Sequence, residues 1–271
     1  MTSTGYNIVV CGGLAPDPLQ SLEPAMGPSG PALKNEMMLP VVLDPWASHA
    51  LYEAAHLAGR IPGSKVWLVS LGHRGKLQQM MMTVAQKVPF ELVAIEGAAG
   101  GFTDPAETAA ALAEAIRSIP GLDPARLLVW GGWESATRGA GVTMALVGER
   151  LGIQDQFQGV DEFKVQPDGS FRILERVEGG QHQVSICTGP PVLAGWATGS
   201  LPEPRNNPQI GMQNMRSVMP ALQKARTAKV GAEGVRFDRI TLPQQQRATR
   251  VVKDLSPDQI ADEIIGWIRQ P

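Results

Sequence analysis

The residues with most chemistry to offer sit in one glycine-rich run. From Gly131 to Gly141 the chain reads GGWESATRGAG, with hydroxyls at Ser135 and Thr137 and a guanidinium at Arg138. An apolar run, Leu127 to Trp130, precedes it, and Val142, Leu146, Val147 and Leu151 follow at helical spacing. Strand, glycine loop and helix in that order aim backbone N–H groups and a positive helix end at a phosphate. The run matches neither GxGxxG nor the GxxxxGK phosphate loop, so its letters describe a tight βα turn equally well. Other chemistry is thin. His49, His56, His73 and His182 lack metal-ligand spacing, no carboxylate pair forms an acid/base dyad, and Ser70 has no GxSxG context. No metal and no catalytic residue is expected. Met80 to Met82 fits core filling on a helix face. Trp130 is expected in the core, whereas Trp46 and Trp133 fall in loops where an indole can stack on a flat ring.

The elements that must hold this loop read as an alternation. Residues 7–11 (NIVVC) form a first buried strand closing on Gly12-Gly13, and prolines 16, 18, 24 and 28 then mark a long loop. Asp44-Pro45 starts a helix carrying Leu51, Ala54, Ala55 and Ala58 on one face. A strand from Lys65 to Ser70 ends at Leu71-Gly72, a helix spans about 76–86, and Phe90 to Ile95 is the third strand. Thr103-Asp-Pro-Ala-Glu is a helix start with a capping side chain, an early proline and an early acid, and its helix runs over about 105–118. Such alternation predicts an α/β fold with a parallel sheet covered on both faces, its ligand beyond the carboxyl ends of the strands. Three small or glycine-bearing strand ends meet there: Cys11-Gly12-Gly13, Ser70-Leu71-Gly72 and Gly131-Gly132-Trp133.

After Gly152 the pattern changes. Phe163 to Gln166, a Pro-Asp-Gly turn and Phe171 to Val177 read as a hairpin, and Glu178-Gly-Gly turns into His182 to Cys187, an antiparallel edge addition. Residues 198–225 read as a turn-rich loop with an exposed Leu201. Residues 230–255 are too polar for a core of their own and precede a short helix from Ser256. The expected division is therefore a domain over 1–229 and a C-terminal arm over 230–271.

A formal net charge of −2 argues against the basic face that nucleic-acid or membrane-surface binding needs. Two distant cysteines, Cys11 and Cys187, indicate neither a disulfide framework nor a zinc site. No stretch reaches membrane-spanning length, and the N-terminal residues lack a signal peptide's basic region, so a cytoplasmic location is expected.

Several segments, in order, resemble the β (small) subunit of electron transfer flavoproteins over nearly the whole chain. Leu201-Pro202-Glu203-Pro204-Arg205 is similar to the family's LNEPR segment, whose leucine anchors the loop that partner dehydrogenases recognise. Val218 to Ala225 is similar to the short helix that follows it. Asp44-Pro45-Trp46 with Glu53-Ala-Ala resembles the segment and helix that hold AMP. Val69 to Gly72 resembles the VSxG strand end, and Glu175 to Gly180 the family's ERExDGG turn. The resemblance implies a parallel Rossmann-like, adenine nucleotide-binding three-layer sheet with an antiparallel hairpin addition and a C-terminal arm. It implies a heterodimer in which a larger α-type subunit holds most of a redox-active FAD while this chain holds a structural AMP. The complex would carry electrons from a flavin dehydrogenase of the acyl-CoA-oxidising type to a membrane quinone oxidoreductase. This subunit would be an electron carrier without catalytic residues, and the redox chemistry would be the flavin's. Nucleotide contacts then fall at Cys11, Gly12, Asp44, Pro45, Trp46, Leu71, Gly72, Ser135, Thr137, Arg138, Gly139, Ala140 and Gly141, and partner recognition at Leu201 to Arg205.

The chain departs from the family's pattern where the phosphate should lie. Gly139, Ala140 and Gly141 fall where the family has its D-x-T-G segment and offer neither its acid nor its hydroxyl, leaving Ser135, Thr137 and Arg138 as substitutes. An arginine can neutralise a phosphate. The basic residues after the first strand are replaced by Gly12-Gly13-Leu14. Arg176 stands at an acid position that helps tie the flavin domain, and Asn206 to Met212 reads as an insertion in the recognition loop. Two alternatives stay open: an electron-bifurcating version with FAD in place of AMP, and a stand-alone nucleotide-binding regulatory protein.

Overall fold

Apolar runs become strands, and capped amphipathic segments become the helices between them. The computed structural model describes residues 5–27, 30–98, 100, 102–137, 139, 141–231, 234, 238–242 and 251–269. In chain order the elements begin with strands β1 (Asn7–Cys11), β2 (Leu14–Pro16), β3 (Pro24–Gly27), β4 (Gly30–Leu33) and β5 (Val41–Leu43). Helix α1 (Pro45–Arg60), β6 (Lys65–Gly72), α2 (Arg74–Val84), β7 (Glu91–Glu96) and α3 (Pro105–Arg117) follow. Then come β8 (Leu127–Gly132), α4 (Thr143–Leu151), β9 (Asp155–Val165), β10 (Phe171–Val177), β11 (Gln181–Cys187) and β12 (Val192–Trp196). The last are α5 (Pro208–Gln223), β13 (Arg226–Thr227) and α6 (Pro257–Ile268).

Nine strands form one sheet in the order β11-β10-β9-β12-β8-β1-β6-β7-β13. From β9 to β13 every neighbouring pair is parallel, and β9, β10 and β11 are antiparallel. This is the expected mixed α/β architecture, Rossmann-like with an added antiparallel hairpin. Successive strand residues point to opposite faces, which builds two apolar layers. Ile8, Val10, Leu68, Leu128, Trp130 and Trp196 pack with Ala47, Ala50, Leu51 and Ala54 of α1. Val9, Trp67, Val69, Val129 and Leu193 pack with Leu112 and Ile116 of α3 and with Met144 and Val147 of α4. On the first face Trp130 and Trp196 lie 5.0 Å apart between ring centres, at an offset angle of 59°.

Chain order reverses beside β1. The path runs from β1 outward through β6 and β7, then returns to place β8 on β1's other side, with Cys11 level with Val69 and Gly131. A crevice opens beyond the strand ends at such a reversal.

The local signals that placed the helices hold. Asp44 caps α1 by accepting from Trp46 N at 3.1 Å, and Asp104, rather than its neighbour Thr103, caps α3 from Ala106 N at 2.8 Å. The Pro-Asp-Gly turn closes β9 on β10, with Gln166 N donating to Ser170 O at 2.8 Å and Gly169 at φ +87°. Two expectations need correction. The segment after Arg205 is not a turn-rich insertion: Asn207 caps α5 through Gln209 N and Ile210 N, Pro208 is its first residue, and the helix runs sixteen residues to Gln223. Proline at the first helical position loses no hydrogen bond, so a turn-like sequence there starts a helix. Leu201 is half-buried rather than exposed.

The chain divides into two units, Met1–Glu23 with Asn35–Asp238, and Pro24–Lys34 with Arg239–Pro271. The first extends past 229 because residues 226–231 are tied to it. Ala228 N donates to Glu96 O at 2.8 Å, Gly231 N to Glu107 Oε2 at 2.6 Å, and Asp104 N to Gly231 O at 2.6 Å. The second unit contains the β3–β4 hairpin and α6. Helix α6 begins with a capping box in which Gln259 N donates to Ser256 Oγ and Ser256 N to Gln259 Oε1. No helix among the described residues is long and apolar enough to cross a membrane.

Candidate functional site

The crevice at the chain reversal is lined by the ends of three strands and the first turns of helices. Cys11, Gly12 and Gly13 come from the end of β1, Leu71 from β6, and Gly132, Trp133 and Glu134 from the end of β8. Asp44 and Ala47 line it from α1, Thr108 and Leu112 from α3, and Thr143 and Met144 from α4. Ser135, Thr137 and Gly141 of the glycine loop complete one wall, and Leu14, Gly100 and Thr103 also border it.

Internal hydrogen bonds fix its shape. Ser70, fully buried, donates its hydroxyl to Gly12 O at 2.7 Å and so locks the end of β6 to the end of β1. That is a structural use of the serine. Asp44 N donates to Gly13 O at 2.9 Å. The Asp44 side chain, 6% exposed, bridges two segments: Oδ1 accepts from Trp46 N, and Oδ2 accepts from Ala136 N at 2.9 Å. A single carboxylate thus caps α1 and holds the glycine loop. Burial pushes its pKa above the ordinary carboxylate range. The N–H bonds from Ala136, Trp46 and Ala47 pull the other way, and the charge of Glu134 adds to the rise.

The loop folds on itself. Ser135 Oγ lies 2.8 Å from Thr137 Oγ1 and accepts from Thr137 N at 3.3 Å, and Gly139 N donates to Ser135 O at 2.7 Å. Gly139 has φ +60°, which glycine adopts without strain. Trp133 is anchored by its backbone N–H, which donates to Trp196 O at 3.0 Å, with its ring edge-on to that of Trp46 at 6.4 Å between centres. A Cβ on Gly132 would lie 2.6 Å from Trp46 Cβ and 3.3 Å from Ala47 N, so the loop's root rests directly on the start of α1.

Helix α4 meets the crevice with its N-terminus, and Val142 provides no side-chain cap. By contrast α1, α3, α5 and α6 are capped by Asp44, Asp104, Asn207 and Ser256, and at α2 the Glu96 carboxylate accepts from Arg74 N at 2.8 Å. Unsupplied first-turn N–H groups with a positive helix end suit an anionic oxygen. Burial pushes the Cys11 thiol up to about 12, which favours the protonated form.

Among the nucleotide contacts expected from sequence, Cys11, Gly12, Asp44, Leu71, Ser135, Thr137 and Gly141 line the crevice. Pro45 starts α1 and Gly72 ends β6, both beside it; Trp46 packs on Trp133, and Gly139 shapes the loop. Arg138 and Ala140 lie outside the described residues. Sequence reasoning passed over Gly100, Thr103, Thr108 and Leu112. A fourth glycine-bearing strand end, Gly97-Ala-Ala-Gly100 after β7, carried the same signal used at the other three.

The Leu201–Arg205 segment lies elsewhere and is held through two acids. Glu53 Oε1 on α1 accepts from Ser200 N at 2.7 Å, Ser200 Oγ at 3.1 Å and Leu201 N at 3.1 Å. Glu203 pairs with Lys87 at 2.6 Å, and Lys87 also donates to Pro204 O at 3.2 Å. Pro202 and Arg205 are exposed. Arg176 donates to both oxygens of Asp161, at 3.1 and 2.9 Å, and Asp161 also accepts from His182 Nε2 at 3.0 Å and from Thr198 N and Oγ1 at 3.2 and 3.0 Å.

No protein-family model matches the chain, and no curated protein matches it.

Proposed function

We propose that the chain is the β-type subunit of a heterodimeric electron transfer flavoprotein, with an adenine nucleotide in the crevice at the β1/β8 reversal. One observation carries the reading. Two of the segments that resemble the family, far apart in sequence, meet at one crevice: Asp44 and Leu71 border it together with Cys11, Gly12, Ser135, Thr137 and Gly141, and Glu53, on the helix that Asp44 caps, holds the start of the Leu201–Arg205 segment. The crevice residues fit such a ligand. Gly13 leaves open space, its nearest neighbour to a Cβ being Asp44 Cβ at 4.0 Å, and the first turn of α4 is without a side-chain cap. FAD, held mainly by an α-type partner, would supply the one- and two-electron chemistry. This chain's residues would bind and orient the nucleotide and present the Leu201–Arg205 loop to a flavin dehydrogenase. A membrane quinone oxidoreductase would accept the electrons.

Co-expression with an FAD-binding α-type chain, followed by extraction of bound nucleotides, tests this. A yellow heterodimer releasing FAD and AMP is expected. A colourless complex with no releasable adenine nucleotide would overturn it. Two flavins per heterodimer with reduction by NADH would replace it with the bifurcating version, in which FAD takes the crevice.

A further inference from the structure

Glu134 stands out in the crevice because no described residue bonds to its side chain. It lines the opening, is half-buried, and makes no hydrogen bond or ion pair among the described residues. Its charge reaches Asp44, one of whose oxygens is already taken by Trp46 N and the other by Ala136 N. The wall formed by the start of α1 and the root of the glycine loop is therefore acidic, with one carboxylate spent and one free. A phosphate pressed against it would meet two negative charges. The crevice is also lined by Leu112, Met144 and Thr143 of the first turn of α4, where Val142 provides no side-chain cap.

A free carboxylate accepts hydrogen bonds and donates none. The partner it suits is a pair of neighbouring hydroxyls, and in switch-point crevices an acid commonly takes the ribose hydroxyl. We propose that Glu134 is the specificity-determining residue of this crevice, accepting from the ribose 2′- and 3′-hydroxyls of an adenine nucleotide whose phosphate lies at the first turn of α4. The inference rests on the nucleotide-binding reading above and adds to it the orientation of the ligand and the demand for a diol.

Isothermal titration of the full chain, stripped of nucleotide, with AMP and 2′,3′-dideoxy-AMP tests it. A hydrogen bond to a charged group is worth about 1.5–3 kcal/mol, so the dideoxy compound should bind about tenfold to a hundredfold more weakly. Glu134→Ala should abolish that discrimination, and Glu134→Gln, which keeps one acceptor oxygen, should leave part of it. Equal affinity of the wild type for both nucleotides overturns the role of Glu134 while leaving the nucleotide site standing. Undiminished discrimination in Glu134→Ala does the same. Failure of the wild type to bind AMP at all overturns the underlying reading and this one with it.

Discussion

Replacing Asp44 separates two jobs done by one carboxylate. In Asp44→Asn one oxygen remains to cap Trp46 N, but an amide NH2 then faces Ala136 N, a donor against a donor. Leaving that N–H without its acceptor costs about 1–3 kcal/mol, reduced because a neutral amide is cheaper to bury than a carboxylate, so about 1–2 kcal/mol is expected. Asp44→Ala loses the cap as well, typically about 1 kcal/mol more. For a chain of this size each kcal/mol lowers the melting temperature by about 2–4 °C, which gives about 2–8 °C for Asn and a larger drop for Ala. Thermal unfolding followed by circular dichroism measures both. The pH dependence adds a sign. Burial raises the carboxyl's pKa in the folded state, so the folded protein keeps this proton to higher pH than the unfolded chain. The stability of the wild type relative to Asp44→Asn should be greatest below the ordinary carboxylate range and should decline as pH rises through the raised value. Equal losses in Asn and Ala would refute the division into tether and cap. No loss in either would refute both contacts.

Three further outcomes are expected. Asp161 is pushed up by burial, but hydrogen bonds from His182, Arg176 and Thr198 outweigh this and hold it below the ordinary range. Its contribution should therefore be full above that range and vanish as pH falls through the depressed value; Asp161→Asn, losing about 1–3 kcal/mol at neutral pH, should lack that acid-range loss in urea midpoints. Glu53→Ala removes the acceptor of three hydrogen bonds to Ser200 and Leu201, so tryptic cleavage after Arg205 should quicken about tenfold, matching about 1.4 kcal/mol of lost anchoring. An unchanged cleavage rate would show that the Lys87–Glu203 pair alone holds the loop. Gly132→Ala sets a Cβ 2.6 Å from Trp46 Cβ and 3.0 Å from Glu134 O, and should cost about 1–3 kcal/mol by denaturant midpoint. An unmoved midpoint would mean that the loop's root yields freely.

The sheet was legible because its strands are buried on both faces, and NIVVC, KVWLVS and LLVW read as unbroken apolar runs. Asp44-Pro45, Asp104-Pro105 and Ser256-Pro257 marked helix starts because cap and proline chemistry is local. Strand β12 escaped notice: VLAGW is five residues, two of them small, following Pro190-Pro191, and only its place between β8 and β9 makes it a strand. Helix α5 was masked by Asn206-Asn207-Pro208, which spells a turn until the following residues fill the first face of the sheet through Val218 and Leu222. At the crevice the strand-end glycines were visible in sequence. Thr108 and Leu112 were not, because they reach it only by the packing of α3. Nor was Glu134, because an unpaired acid has no spacing rule.

The position of β12 has a consequence for how the chain is made. Strands β9, β10 and β11 pair locally and are made before β12, yet β9 joins the larger sheet solely through β12. Until residue 196 is available, β8 and β9 each present a bare edge, and the hairpin has no seat. Strand β12 is thus a keystone: five residues that close two open edges at once. Nascent chains ending before Val192 are expected to self-associate through those edges, and chains extended past Trp196 to stay monomeric as folding intermediates.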